Sequence, residues 1–140
     1  MNLEPMAVDV CYLVESGPTK EPIGTRATKA ADAYTAMGTP EARIASGWLQ
    51  DFIRVCADRH STLHGVPGTW VTIEDEQKVV NHGDVVDHLD HKGNRRILQL
   101  DPPEIDARTS QVISLIDRWA GVLVGVADQA RAATRSRHPR

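Results

Sequence analysis

The sequence predicts a mainly helical α+β domain, in which three or four helices pack with a small antiparallel sheet formed by residues from about 69 to 100. Two observations predict this class. Apolar residues recur at helical spacing in the first half and the last third of the chain, and short β-rich segments bounded by turn residues lie between them. With 140 residues, 41% of them hydrophobic, the chain is long enough to bury a core. We expect one globular domain over residues 1–130.

The first predicted helix lies at the N-terminal end. Leu3, Met6, Val10 and Leu13 recur at spacings of three and four, which places them on one helical face. A short strand over Ala7–Val14 is the alternative, because apolar residues also alternate there. We favour the helix.

Two further helices follow a loop rich in glycine and proline. An alanine-rich segment from Thr25 to Met37 predicts a helix that ends at Gly38. Thr39 and Pro40 have the residue types of an N-cap and a first helical position, so a third helix is predicted to begin there. Its apolar periodicity continues to about His64, where a glycine follows.

The predicted sheet comes from β-rich segments in the middle of the chain. We pair Thr69–Ile73 with Arg96–Leu100 as antiparallel strands. Turn residues at 81–84 and 92–94 favour a meander of three or four strands, whereas a short helix over Val85–Lys92 is the alternative. Periodicity does not separate the two, and we favour the strands.

The last helix is predicted to begin near Ile105–Asp106, after two prolines, and to run past Ala130. Its expected buried stripe consists of Val112, Ile116, Trp119, Leu123, Val126 and Ala130. Residues 131–140 lose all apolar character, and we expect them to form a flexible basic tail. The tail could contact nucleic-acid phosphates by charge alone, through Arg131, Arg135, Arg137 and Arg140.

The densest group of chemically active side chains lies in the predicted meander. Imidazole and carboxylate groups are the ligands of divalent transition metals such as zinc or manganese. Two further histidines, spaced four residues apart, lie near the end of the third helix. The candidate metal ligands are His60, His64, His82, Asp84, Asp87, His88 and His91.

A solvated polar surface is the competing interpretation of this group. No familiar metal-binding or nucleophile motif is present in the chain. Cationic histidine is also favourable at a helix C-terminus, which explains His60 and His64 without a metal. We therefore expect the imidazoles of the two segments to stay apart, and we expect no cofactor. The two cysteines, Cys11 and Cys56, lie in apolar stretches and are interpreted as reduced core thiols.

The last predicted helix contains Gly121 and Gly125 at a spacing of four, flanking Leu123. Each glycine inside a helix costs about 1 kcal/mol relative to alanine, so the pair needs a structural reason. A smooth groove lets another backbone approach closely, either from the same chain or from a second copy. We interpret Gly121, Leu123 and Gly125 as candidate interface residues.

Composition limits the function classes further. The formal net charge of −3 argues against a general nucleic-acid binder. The most apolar run, residues 120–127, is shorter than the roughly 20 residues of a membrane span, so we expect no membrane contact and a cytoplasmic location. Abundant arginine, alanine and valine are typical of a high-GC bacterium or its phage.

We expect a non-catalytic interaction or assembly component that self-associates or docks to a larger complex. The alternative is a small metal-dependent hydrolase using His60, His64 and the 82–91 cluster.

Overall fold

The predicted α+β class is confirmed. A computed structural model describes residues 3–137, without the side chains of residues 80, 81 and 137. Within this range the chain forms four helices and three strands. In chain order they are α1 (Glu4–Tyr12), α2 (Ile23–Met37), α3 (Pro40–His64), β1 (Val66–Glu74), β2 (Lys78–Leu89), β3 (Arg95–Gln99) and α4 (Pro102–Arg137).

The internal contacts divide the chain into two compact units. The first unit comprises residues 1–54 together with residues 112–140, and the second comprises Val55–Gln111. The boundaries fall within α3 and α4, so each unit contains part of both helices.

The first unit has an entirely helical core. Polar groups of large buried side chains satisfy backbone carbonyls in it: the Tyr34 hydroxyl donates to the Val10 carbonyl at 2.6 Å, and Trp48 Nε1 donates to the Leu115 carbonyl at 2.8 Å. These bonds remove the cost of burying an unpaired donor and join distant parts of the chain. The largest fully buried side chains of this unit are Trp48, Tyr34, Phe52, Leu49, Leu115, Val10 and Cys11.

The helix ends agree with the local signals. Gly38 closes α2 with a φ of 71°, the left-handed conformation that glycine adopts at low cost. Thr39 Oγ1 then accepts a hydrogen bond from the Ala42 N–H, as an N-cap does. The predicted start of α4 near residue 105 is wrong, because the helix begins at Pro102. Proline is tolerated there since the first helical N–H groups have no intrahelical acceptor.

The second unit contains an antiparallel sheet with the strand order β1-β2-β3. The strands predicted at Thr69–Ile73 and Arg96–Leu100 belong to one antiparallel sheet, but they are not neighbours in it, because β2 lies between them and pairs with both. The meander over residues 75–95 is confirmed, and the alternative short helix is not formed. The β1–β2 turn is made by Asp75 and Glu76, which have φ values of 54° and 62°.

The turn expected at residues 81–84 is absent, because this segment lies inside β2. Gly83 has a different role there. It pairs with Trp70 of β1, and a β-carbon at Gly83 would lie 2.4 Å from Trp70 Nε1. The glycine therefore provides space for the indole ring.

Candidate functional site

The strand register in the second unit determines which side chains lie together. Val86 and His88 alternate with Asp87 along β2, and their partners on β3 are Leu98 and Arg96. Side chains of directly paired residues point to the same face of a sheet. Val86, His88 and Leu98 are buried, so this is the inner face of the sheet.

His88 meets two histidines of α3 on this inner face. The ring centroids of His60 and His88 are 5.2 Å apart in an edge-on arrangement, and those of His60 and His64 are 4.5 Å apart. We call His60, His64 and His88 the imidazole cluster. His88 is buried, whereas His60 and His64 are exposed. The expectation that the imidazoles of the two segments stay apart is therefore wrong for His88.

A polar network adjoins the imidazole cluster. Ser61 is 1% exposed, and its Oγ lies 3.2 Å from His88 Nδ1. Arg96 donates one hydrogen bond to Ser61 Oγ at 3.3 Å and another to Asp58 Oδ1. Arg108 Nη1 donates to the second oxygen of Asp58 at 2.6 Å. Both oxygens of this carboxylate are therefore bound by guanidinium groups.

The remaining predicted metal ligands do not join the imidazole cluster. Asp87 lies on the opposite sheet face, where Arg95 Nε donates to it at 2.9 Å, and this hydrogen bond holds the pKa of the Asp87 carboxyl below its usual value. His82 and Asp84 lie towards the β1–β2 turn and are exposed. His91 is exposed in the turn before β3.

A preformed metal centre is not present in the described part of the chain. Among residues 3–137, no group of three or more His, Cys, Asp or Glu side chains is arranged to hold a metal ion. The imidazole cluster comes nearest in composition, since it brings together three of the seven predicted ligands. The hydrolase alternative remains a prediction, because none of these contacts identifies a reaction.

The sequence indicates only part of the network around Asp58. Asp58 and Ser61 are spaced three residues apart on α3, so their common helix face was available as a signal. Arg96 and Arg108 come from β3 and α4, and nothing in their sequence neighbourhoods marks them as partners of Asp58.

The two glycines of α4 have different environments. A β-carbon at Gly125 would lie 3.6 Å from the Glu41 side chain, so Gly125 packs within the first unit. A β-carbon at Gly121 would have nothing within 4 Å. Leu123 is half-buried. Of the three predicted interface residues, only Gly121 is exposed.

One side of α4 is covered in the first unit and the other is open. Leu115, Val122 and Val126 are buried, whereas Ile113 and Val124 are 52% and 60% exposed. The exposed positions recur at spacings of three and four, as residues on one helical face do. We call this set the open stripe of α4; it consists of Ile113, Asp117, Ala120, Gly121, Val124, Asp128 and Arg131.

By length and composition alone, α4 is also apolar enough to cross a membrane. Core helices of soluble proteins can be equally long and apolar, but they are mostly buried. Only 17% of the most apolar stretch of α4 is buried. No uninterrupted apolar run marks the whole of this stretch in the sequence, because Asp117 and Arg118 separate the run at 120–127 from the apolar residues before it.

The basic C-terminal segment begins as part of α4, which continues to Arg137. Arg131 forms an exposed ion pair with Asp128 at 3.2 Å, and Arg135 is exposed. The Arg137 side chain and the whole of Arg140 lie outside the described residues. Nucleic-acid contact through these arginines remains a prediction.

The two thiols differ in their burial. Cys11 is buried, and burial, assisted by the negative charge of Glu15, raises its pKa to about 11. Cys56 is half-buried, and the two cysteines are not joined in a disulfide.

Comparison with known proteins gives no family assignment: no protein-family model, curated protein or solved structure is significantly similar to this chain.

Proposed function

We propose that this chain is a non-catalytic assembly component that self-associates through the open stripe of α4. The observation that supports the proposal is the poor burial of an apolar helix, since Ile113 and Val124 expose about half of their surface or more. Exposed apolar side chains that share one helical face form a surface that another molecule can cover. We infer that the occupant is a second copy of the same stripe.

Charge complementarity favours an antiparallel pair with its two-fold axis at Val124. Asp117 and Arg131 each lie seven residues from Val124, in opposite directions. In the antiparallel pair, Asp117 of each copy therefore lies opposite Arg131 of the other. A parallel pair would place Asp117 against Asp117, which is unfavourable.

Small residues next to the axis allow a close approach. Ala120 and Gly121 are exposed, and the space above Gly121 is open. Helices with small residues at their contact approach each other more closely, so more of their remaining atoms come into van der Waals contact. The existing Arg131–Asp128 ion pair is exposed, so little free energy is lost when Arg131 changes partner.

A lipid bilayer is a less favourable occupant. Asp117 and Arg118 lie next to each other in the most apolar part of α4, and charged side chains at the centre of a bilayer cost several kcal/mol. Arg118 is also bound to Asp51 of α3 at 2.9 Å. This part of α4 contributes Leu115 and Val122 to the protein core, which a membrane span would remove.

We expect a weak, reversible dimer. From Ile113 to Arg131 the helix is about 27 Å long. A single helix pair of this length buries less than the roughly 800 Å² per partner that is typical of stable complexes. Association at micromolar concentration is therefore the expected result.

The test is sedimentation velocity on the full chain between about 1 and 200 µM. Val124→Glu should shift the chain to monomer, because it places like charges at the two-fold axis. Asp117→Arg and Arg131→Asp should each weaken the dimer, and the double exchange should restore it. Ile44→Glu is the matched control, since Ile44 is an exposed apolar residue of α3 outside the stripe.

A monomer at every concentration would overturn the proposal. So would a dimer that Val124→Glu and Ile44→Glu weaken equally, because the contact would then lie elsewhere. Flotation of the wild-type chain with liposomes, lost in Val124→Glu, would show that lipid is the occupant. The cytoplasmic location remains a prediction beside this proposal.

A further inference from the structure

We propose that the open edge of β1 pairs with β1 of a second copy, and that protonation of His60 and His64 strengthens this contact. The proposal concerns the second unit, whereas the open stripe of α4 lies in the first, so it is independent of self-association through α4. It rests on the exposed backbone of an edge strand and on the charges at the two ends of that strand.

β1 is an edge strand of the sheet and is almost fully exposed. It lies at one end of the order β1-β2-β3, and eight of its nine residues are exposed. Exposed edge strands pair readily with other strands unless charged residues or short length prevent it. β1 has no charged residue from Val66 to Ile73, whereas the other edge strand, β3, has five residues and begins with two arginines. β1 is therefore the edge that is better suited to pairing.

The register shows which backbone groups of β1 face the open edge. The Leu100 N–H donates to the Asp84 carbonyl at 2.8 Å, so Asp84 directs its backbone groups towards β3. Its partner on β1 is Thr69, which must then direct its own N–H and carbonyl away from β2. By alternation Pro67 and Val71 do the same. Proline has no N–H, and the open side of an edge strand is where it is tolerated.

An antiparallel pair with its two-fold axis at Trp70 uses these open groups. Thr69 of each copy then exchanges both main-chain hydrogen bonds with Val71 of the other. Val71 and Ile73, which are 50% and 56% exposed, come to lie beside Thr69 and Pro67 of the second copy. Main-chain hydrogen bonds have a small net value, and association costs entropy. The charges at the strand ends therefore decide whether the pair is stable.

The two ends of β1 have opposite charge when the imidazoles are protonated. Glu74, Asp75 and Glu76 lie at one end, and His60 and His64 in the last turns of α3 precede the other. Antiparallel pairing brings the acidic end of each copy to the histidine end of the second, whereas parallel pairing would bring carboxylates together. The C-terminus of α3 carries the negative end of the helix dipole, so it repels these carboxylates until its histidines become cationic.

Mild acid should therefore favour the pair. Exposed histidines become cationic as the pH falls below about 6.5, and both His60 and His64 are exposed. Their rings are 4.5 Å apart, so two positive charges repel each other there, and the carboxylates of a second copy relieve this repulsion. The other titratable and charged groups in and next to the imidazole cluster are His88 of β2, Arg96 of β3, Arg108 of α4 and Asp58 of α3, whose two oxygens are bound by the arginines.

The test uses the Val124→Glu chain, in which the α4 contact is removed, so that the two proposals can fail separately. Sedimentation velocity between about 1 and 200 µM should find a monomer at about pH 7.5 and a dimer at about pH 5.5. The association constant should rise about tenfold or more, because two imidazoles of each copy gain exposed ion pairs. Adding His60→Gln and His64→Gln together should abolish this increase. His91→Gln, at an exposed histidine in the turn before β3, should retain it.

Val71→Lys should abolish the acid-dependent dimer, because it places like charges next to the two-fold axis. Ile97→Lys is the matched control, since Ile97 is a similarly exposed apolar residue of β3. The proposal is overturned if the Val124→Glu chain stays monomeric at both pH values, as it would if β1 paired with a different protein. A dimer of equal affinity at both pH values, a dimer that Val71→Lys and Ile97→Lys weaken equally, or loss of the circular dichroism of the folded chain at pH 5.5 would also overturn it.

Discussion

The indole of Trp70 occupies the space that a side chain at Gly83 would need. The two residues are directly paired across β1 and β2, and a β-carbon at Gly83 would meet three atoms of the indole within 3.2 Å. The indole Nε1 is buried against this glycine and has no hydrogen-bond partner among the described residues. This contact makes Gly83 a structural requirement of the hairpin.

Gly83→Ala should therefore destabilise the protein by about 1–3 kcal/mol, because the new methyl group forces the Trp70 ring out of its position. Urea unfolding followed by tryptophan fluorescence measures the effect. Gly68→Ala is the matched control on a strand of the same sheet, because its β-carbon would lie 3.5 Å from Val85, an ordinary contact. Equal free energies of unfolding for the two variants would contradict the steric explanation.

Asp58 is predicted to be the most important carboxylate for stability in the second unit. Asp58→Asn removes the negative charge between Arg96 and Arg108, whose side chains are only 33% and 28% exposed. Two partly buried guanidinium groups then face each other without a counter-charge, which should cost about 1–3 kcal/mol.

Asp128→Asn provides the comparison for Asp58, because its ion pair with Arg131 is exposed and should contribute little. Chemical denaturation of both variants at low and high salt checks the prediction. If the two substitutions had similar effects, the Asp58 network would have no special role in stability.

The turn between β2 and β3 should make stability depend on pH in the acid range. The N–H of Asn94, followed by its side-chain amide and the N–H of Lys92, holds the pKa of the Asp90 carboxyl below its ordinary value of 3.8. A carboxyl with a lowered pKa contributes stability that is complete above pH 3.8 and is lost as the pH falls through the folded-state pKa.

Unfolding measured between about pH 5 and 2.5 should accordingly show a smaller decrease in stability for Asp90→Ala than for the wild type. Asp106→Ala, an exposed carboxylate of α4, is the control and should keep the wild-type dependence. An unchanged pH profile for Asp90→Ala would show that these hydrogen bonds do not favour the ionised form.

The Cys11 thiol should be inert in the folded protein. With a pKa of about 11, only about one thiol in a thousand is ionised at pH 8, and the side chain is buried. A Cys56→Ser chain, in which Cys11 is the remaining cysteine, should not react with Ellman's reagent until urea is added. Rapid reaction of one thiol under native conditions would contradict this burial.

The elements with local signals were predicted well. The end of α2 at Gly38 and the start of α3 at Pro40 depend on backbone conformation and capping within a few residues. The β1–β2 turn was missed, because Asp75 and Glu76 adopt positive φ values without the glycine that usually marks such a turn. Gly83 is predicted from the sequence to lie in a turn. The structure instead requires a glycine at this position because the Trp70 indole of the neighbouring strand occupies the adjacent space, and this contact is not local in sequence.

The sequence by itself determined the helix limits near residues 38–40 and the candidate ligands, since both follow from residue type and short spacing. Only the tertiary structure decided that His88 joins His60, that Asp58 binds two guanidinium groups, and that Gly121 is open while Gly125 is covered. The physical reason is the same in each case. A strand register and the packing of a helix bring distant residues together, and no local property of either residue specifies its partner.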